Sequence, residues 1–173
     1  MTKGVKSRIY LIGFMGVGKS TVGKHLAAAL NYRFVDTDKL FERKYKTNID
    51  LFFKKYGEEI FRKLEREVLE ETFSMENTVV STGGGSVING GIDAINRYGL
   101  SIYLKMDENA IASRLAVAKR QRPLIKGMRG EELSMFIKNK LEEREPLYSR
   151  AHIVFDSFNP DIKRLVEIIG SYQ

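Results

Sequence analysis

Cysteine is absent from the 173 residues, and so is tryptophan. Without a thiol the chain can form neither a disulfide nor a thiolate metal site, which suits a reducing compartment. Histidine occurs twice, at His25 and His152, far apart in the pattern, so no imidazole metal centre is expected. No apolar run reaches the roughly 18 residues needed to span a membrane. The basic start, Met1 to Arg8, leads into an apolar stretch from Ile9 to Phe14 that is too short for the core of an export signal. A cytoplasmic protein without a membrane partner is the expectation. Internal repeats, low-complexity tracts and linker-like segments are also missing, and the length suits one domain over residues 1–173. No Asn-Lys-x-Asp motif of the kind that reads a guanine base is present.

What is present is a basic excess: 29 Lys and Arg against 22 Asp and Glu give a formal charge of +7. Such a balance can serve nucleic acid, an acidic surface or anionic small molecules. Here the two signs are interleaved, as in Lys63-Leu64-Glu65-Arg66-Glu67, which describes a solvated surface better than a nucleic-acid face. Lys119-Arg120-Gln121-Arg122 is the local exception.

Short apolar runs alternate with longer helical patterns. Arg8 to Ile12, Arg33 to Val35, Thr78 to Ser81, Ser101 to Leu104 and His152 to Phe155 read as strands, nearly continuous in apolar character, as burial on both faces requires. A helix is expected over Thr21 to Leu30, and others over roughly 37–46, 49–55, 57–75, 90–97, 107–117, 130–149 and 160–170. Phe61, Leu64, Val68 and Leu69 recur at helical spacing. The alternation predicts an α/β fold with a parallel sheet flanked by helices, with ligands at the carboxyl ends of the strands.

The most specific motif is Gly13-Phe14-Met15-Gly16-Val17-Gly18-Lys19-Ser20, a full G-x-x-x-x-G-K-[ST] phosphate loop set between a strand and a helix. Its glycines let backbone amides turn inward around phosphates, and the following helix adds its positive end. Lys19 is placed to bridge β- and γ-phosphates and Ser20 to ligate Mg²⁺. The loop implies a nucleoside triphosphate without saying what becomes of it.

The remaining strand ends speak to the acceptor. Asp36-Thr37-Asp38 closes the second strand; one acid can hold a water of the Mg²⁺ shell and the other face an acceptor hydroxyl, although either suits a helix N-cap. Arg62 and Glu65, three apart on a helix, form an ion pair that is either exposed or set to orient the guanidinium. Gly83-Gly84-Gly85 follows the third strand, either as a loose turn or as backbone left open to a ligand. Arg122-Pro123-Leu124 falls in a basic, poorly periodic stretch, a lid over about 114–129 whose arginine can reach a transferring phosphoryl group. Arg144 heads Arg144-Glu145-Pro146-Leu147-Tyr148, and a buried arginine there would suit a substrate carboxylate.

Taken in order, these motifs, together with Gly57-Glu58, resemble the shikimate kinase family over roughly residues 8 to 155. The resemblance implies a three-layer P-loop fold of the nucleoside-monophosphate-kinase type, its five parallel strands in the order 2-3-1-4-5. It implies transfer of the γ-phosphoryl of ATP to the 3-hydroxyl of shikimate by a monomer with Mg²⁺ as cofactor. By the same resemblance Lys19, Asp38 and Arg122 are catalytic, and Gly13, Met15, Gly16, Val17, Gly18, Lys19, Ser20, Thr21, Arg120 and Arg122 bind ATP. Asp38, Phe53, Phe61, Arg62, Gly83, Gly84, Gly85 and Arg144 bind shikimate, with residues about 37–75 as the substrate-binding helices. Ser20 and, through water, Asp36 hold the metal. Periodicity alone assigns Phe53 and Phe61 to the core. A small-molecule kinase of the same fold acting on gluconate, and a P-loop ATPase that binds nucleic acid, are the competing readings. The Ser157-Phe158-Asn159-Pro160 turn lacks the arginine that many relatives carry there, which leaves an adenine contact to backbone or to Phe158.

Overall fold

The computed structural model of the chain describes residues 7–119 and 122–172. Five strands, β1 (Arg8–Ile12), β2 (Arg33–Asp36), β3 (Thr78–Ser81), β4 (Leu100–Lys105) and β5 (Ile153–Asp156), form one parallel sheet in the order β2-β3-β1-β4-β5. Burial follows the position of each strand. Ile9, Leu11, Val79, Val80, Ile102 and Leu104 of the three inner strands are fully enclosed, whereas β5 alternates buried Ile153 and Phe155 with exposed Val154, as an edge strand does.

The helices are α1 (Lys19–Leu30), α2 (Thr37–Tyr45), α3 (Ile49–Glu71), α4 (Gly91–Tyr98), α5 (Glu108–Ala116), α6 (Gly130–Tyr148) and α7 (Ile162–Ser171). Their ends are chemically marked. Asp36 caps α2 by accepting from the Asp38 and Lys39 amides, Asn48 caps α3 through the Leu51 amide, and Asn31 closes α1 with a left-handed φ of 55°. The expected division of residues 49–75 near position 56 survives as a kink. Gly57 breaks α3 with φ 80° and ψ 176°, a conformation open only to glycine, and the segment finishes in a 3-10 turn at Thr72–Ser74.

Two apolar clusters result. The larger joins the inner strands to α1, α4, α6 and α7. The smaller lies between α2 and α3, where Phe41 sits 5.0 Å from both Phe52 and Phe61, and Phe53 lies 4.6 Å from Phe61. Aromatic packing of this kind fixes the α2–α3 hairpin as a unit. Strand register then aligns three carboxyl ends, pairing Asp36 with Ser81 and Ser81 with Leu11, so the loops after β1, β2 and β3 open at one level.

Candidate active site

The loop after β1 runs directly into α1, and Lys19, the first residue of that helix, turns back over it. Its Nζ donates to the Gly13 and Phe14 carbonyls at 2.8 Å each, and the residue is 9% exposed. Burial lowers its pKa to about 7 from an ordinary 10.5; the Arg122 cation pushes the same way, Asp38 and Asp36 oppose, and Arg144 adds a smaller push. The bare site therefore holds an ammonium at a disadvantage, which a polyphosphate would remove.

Ser20 donates to Asp36 Oδ2 at 2.6 Å while Asp36 Oδ1 caps α2. Both readings of Asp36, cap and metal-shell acid, are thus compatible in one side chain. Asp38 instead lies in the first turn of α2 and accepts from Arg122 Nη1 at 3.3 Å. An open cavity of about 630 Å³ lined by Gly16, Lys19, Ser20, Asp36 and Thr82 surrounds these groups. Met15, Gly18 and Thr21 also line it, but Val17 does not: its side chain is 1% exposed and packs in the core. Gly13 contributes the carbonyl that holds Lys19 rather than a wall of the cavity. Ser81 and Thr82 line the cavity although no sequence motif marks them; the signal available was their place at the end of β3.

A second cavity of about 620 Å³, its open mouth included, adjoins the first, and Met15, Asp38, Gly83, Gly84 and Arg122 border both. Phe53, Phe61, Arg62, Gly85 and Arg144 complete the predicted set along its walls. Phe61 is 4% exposed and belongs to the smaller core, so it is packing residue and cavity wall at once. The Arg62–Glu65 pair is not an exposed helical bridge. Glu65 is 6% exposed, and Arg62 Nη1 donates to it at 2.8 Å while Glu58 takes the other edge of the guanidinium at 3.2 Å. Burial raises the Glu65 pKa and Arg62 pulls it part of the way back.

Two of the three glycines serve this pair as much as any ligand. A Cβ on Gly83 would strike the Glu65 carboxylate, and one on Gly85 would strike the Arg62 guanidinium. Arg144 differs from Arg62 in having no carboxylate within ion-pair distance among the described residues. It is 4% exposed, its Nε lacks a hydrogen-bond partner, and its guanidinium carbon lies 5.7 Å from the centre of the Phe14 ring in the phosphate loop. A buried cation so placed is poised for an incoming anion.

Arg120, expected to bind ATP, lies outside the described residues. Arg114 was overlooked: its Nη1 faces the Gly16 carbonyl at 3.5 Å and its Nη2 the Phe158 carbonyl at 3.4 Å, at the outer end of the phosphate loop. Its guanidinium and the half-exposed Phe158 are candidates for the nucleotide base. The signal for Arg114 was its position on α5, one end of the expected lid. Among the described residues no cluster of three or more His, Asp and Glu side chains could hold a metal.

Five parallel strands in this order, a phosphate loop between β1 and α1, and an acceptor cavity beside it define a P-loop small-molecule kinase. The shikimate kinase family model matches residues 15–170, and the chain belongs to that family. A shikimate kinase of Parabacteroides distasonis is 41% identical over 151 residues, 87% of each chain. A crystal structure of shikimate kinase from Bacteroides thetaiotaomicron aligns with a TM-score of 0.88 at 36% identity, covering 94% of this chain and 97% of that one. Shikimate kinase from Acinetobacter baumannii in complex with shikimate gives 0.84 at 33% identity over 94% and 90%.

Proposed function

We propose that the chain transfers the γ-phosphoryl group of ATP to the 3-hydroxyl of shikimate, releasing ADP and shikimate 3-phosphate. The observation that carries this reading is the meeting of two cavities at Asp38 and Arg122, one lined by the phosphate loop and the other by the buried Arg144, whose Nε has no hydrogen-bond partner. A compact polyol carboxylate fits the second cavity. Its carboxylate satisfies Arg144, with Arg62 held alongside by Glu65 and Glu58, and its ring rests on Phe53 and Phe61. Asp38 then orients the 3-hydroxyl toward the phosphate cavity.

In the transfer, the acceptor oxygen bonds to the γ-phosphorus as the bond to the β-bridging oxygen breaks, ADP takes that electron pair, and the hydroxyl proton passes to Asp38. Lys19 and Arg122 bear on the charge spread over the phosphoryl oxygens. Positioning by Asp38 matters more than early deprotonation when the transition state is loose. Mg²⁺ fits the hydroxyl–carboxylate couple of Ser20 and Asp36, since that ion takes few protein oxygens and completes its shell with phosphate and water. When bound it would neutralise charge across the β- and γ-phosphates.

Residues 37–75 serve as the acceptor-binding helices and residues 114–129 as a lid within one kinase domain spanning 1–173. Support for the lid comes from Pro123–Ile125, which seats Ile125 in the core, and from two ion pairs, Arg122–Asp38 and Lys126–Asp50, each at 3.3 Å. A monomer in the cytoplasm completes the proposal; among the described residues no helix is long and apolar enough to cross a membrane. ADP release coupled to a reporter, with ATP–Mg²⁺ and either shikimate, gluconate, a nucleoside monophosphate or no acceptor, tests the reading. Turnover should depend on shikimate. Turnover with another acceptor alone would keep the kinase and refute the pocket assignment.

A further inference from the structure

Tyr148 ends α6 one turn beyond Arg144 and is fully buried. Its hydroxyl donates to the Gly84 carbonyl at 2.6 Å, and its ring stacks on Tyr103 of β4 with centroids 5.0 Å apart. Gly84 lies between the phosphate loop and Arg144. A Cβ there would lie 3.4 Å from the Met15 amide of the phosphate loop and 3.5 Å from Arg144 Nη1. The peptide between Gly84 and Gly85 is trans, so fixing its carbonyl toward α6 directs the Gly85 amide the opposite way. That amide donates to no group among the described residues, and Gly85 lines the acceptor cavity.

Such a loop has little to hold it otherwise. Three successive glycines carry no side chains to lock their peptide planes, and each plane is free to rotate at small energetic cost. Within the turn, the Ser86 amide donates to Gly83 and the Ile88 amide to Gly85, which leaves the Gly84 carbonyl to the tyrosine. Burial pushes the Tyr148 pKa up to about 12, with the charge of Arg144 and its hydrogen bond to the phenol oxygen opposing, so the hydroxyl stays protonated throughout the neutral range and ties the Gly84 carbonyl to Arg144.

We infer that Tyr148 is a positioning residue for acceptor binding: its hydroxyl fixes the Gly84–Gly85 peptide, and thereby aims the Gly85 amide into the acceptor cavity at a set distance from Arg144. This inference rests on the acceptor reading of that cavity. Tyr148 itself touches no substrate. It acts through the loop, and because its ring is anchored by Tyr103 rather than by the loop, the clamp and the arginine move as parts of one helix end.

Tyr148→Phe keeps the ring and deletes the clamp. With shikimate as acceptor, its KM should rise by about 3- to 10-fold, the range of one net hydrogen bond, while KM for ATP stays within about twofold. Tyr103→Phe is the control. It deletes a hydroxyl from the same aromatic stack, one that donates to Glu145 at 2.5 Å and does not reach the loop. Its KM for shikimate should match wild type. An unchanged KM in Tyr148→Phe would overturn the inference, and so would an equal rise in both variants, which would mean general loosening of α6. Absence of shikimate turnover in the wild type would sink the acceptor reading and this inference together. Normal wild-type turnover with an unshifted Tyr148→Phe sinks only the latter.

Discussion

Arg144 is the residue on which the acceptor reading turns, because its buried guanidinium has no carboxylate to answer it among the described residues. Arg144→Ala should raise KM for shikimate by about 10- to 100-fold, the worth of a charge-assisted pair, and leave KM for ATP within about twofold. A loss confined to ATP would reassign it to the nucleotide. Lys19 makes a prediction about pH. With a folded pKa near 7 against an ordinary 10.5, the folded chain binds fewer protons than the unfolded chain between those values, so its contribution to stability improves as pH rises through that window. Nucleotide phosphates favour the ammonium, so nucleotide binding should take up protons. Calorimetry in buffers of different ionisation enthalpy should find uptake approaching one proton near pH 8 and much less near pH 6. Equal uptake at both would refute the depressed pKa. The sequence named Lys19 and Arg144 from motifs; it could not say that one would be desolvated and the other unpaired, since both depend on what α6 and β1 bring against them.

At the scale of elements, the α2–α3 hairpin and the glycine loop after β3 form one device. The aromatic cluster of Phe41, Phe52 and Phe61 fixes the hairpin, and the hairpin presents Asp38 from one helix and the Arg62–Glu65 pair from the other. The loop lies so close that only glycine fits above that pair. Gly85→Ala should therefore displace the Arg62 guanidinium, raise KM for shikimate and cost about 1–3 kcal/mol of stability, as overpacking does. Urea unfolding and steady-state kinetics on the same preparation check both parts; a variant normal in both would show the loop to be looser than its packing. Here sequence reasoning found the triplet but assigned its smallness to ligand approach and free amides. Two of the three positions are small because the protein's own ion pair lies beneath them, a fact no spacing rule contains.

Across the whole molecule, the sheet sets the distance between the two chemistries. β1 delivers the phosphate loop, β2 the two acids and β3 the glycine loop, and their parallel register brings all three out at one edge. After α5, Arg122 and Lys126 reach the α2–α3 hairpin through ion pairs to Asp38 and Asp50. Closure of the proposed lid on both substrates would exclude water, so ADP release without an acceptor should be a small fraction of the shikimate-supported rate. Comparable rates in the two assays would describe an ATPase and remove the reason for a lid. The excess of positive charge needs no nucleic acid to explain it, since Arg62, Arg122, Arg144 and Lys19 converge on the two cavities and the rest is mixed with acids.

By itself the sequence determined the strand and helix alternation, the phosphate loop and the identity of most groups that face the two cavities. Those features are written in local periodicity and in motifs whose members are neighbours along the chain. Only the tertiary structure decided that the Arg62–Glu65 pair is buried while Arg144 has no carboxylate partner among the described residues, that Val17 faces the core, that Arg114 reaches the outer end of the phosphate loop, and that Tyr148 holds Gly84. The Arg114–Gly16 and Tyr148–Gly84 contacts join residues far apart in sequence, and no window along the chain contains both partners; the Arg62–Glu65 pair is local, but its burial is set by what the fold packs over it.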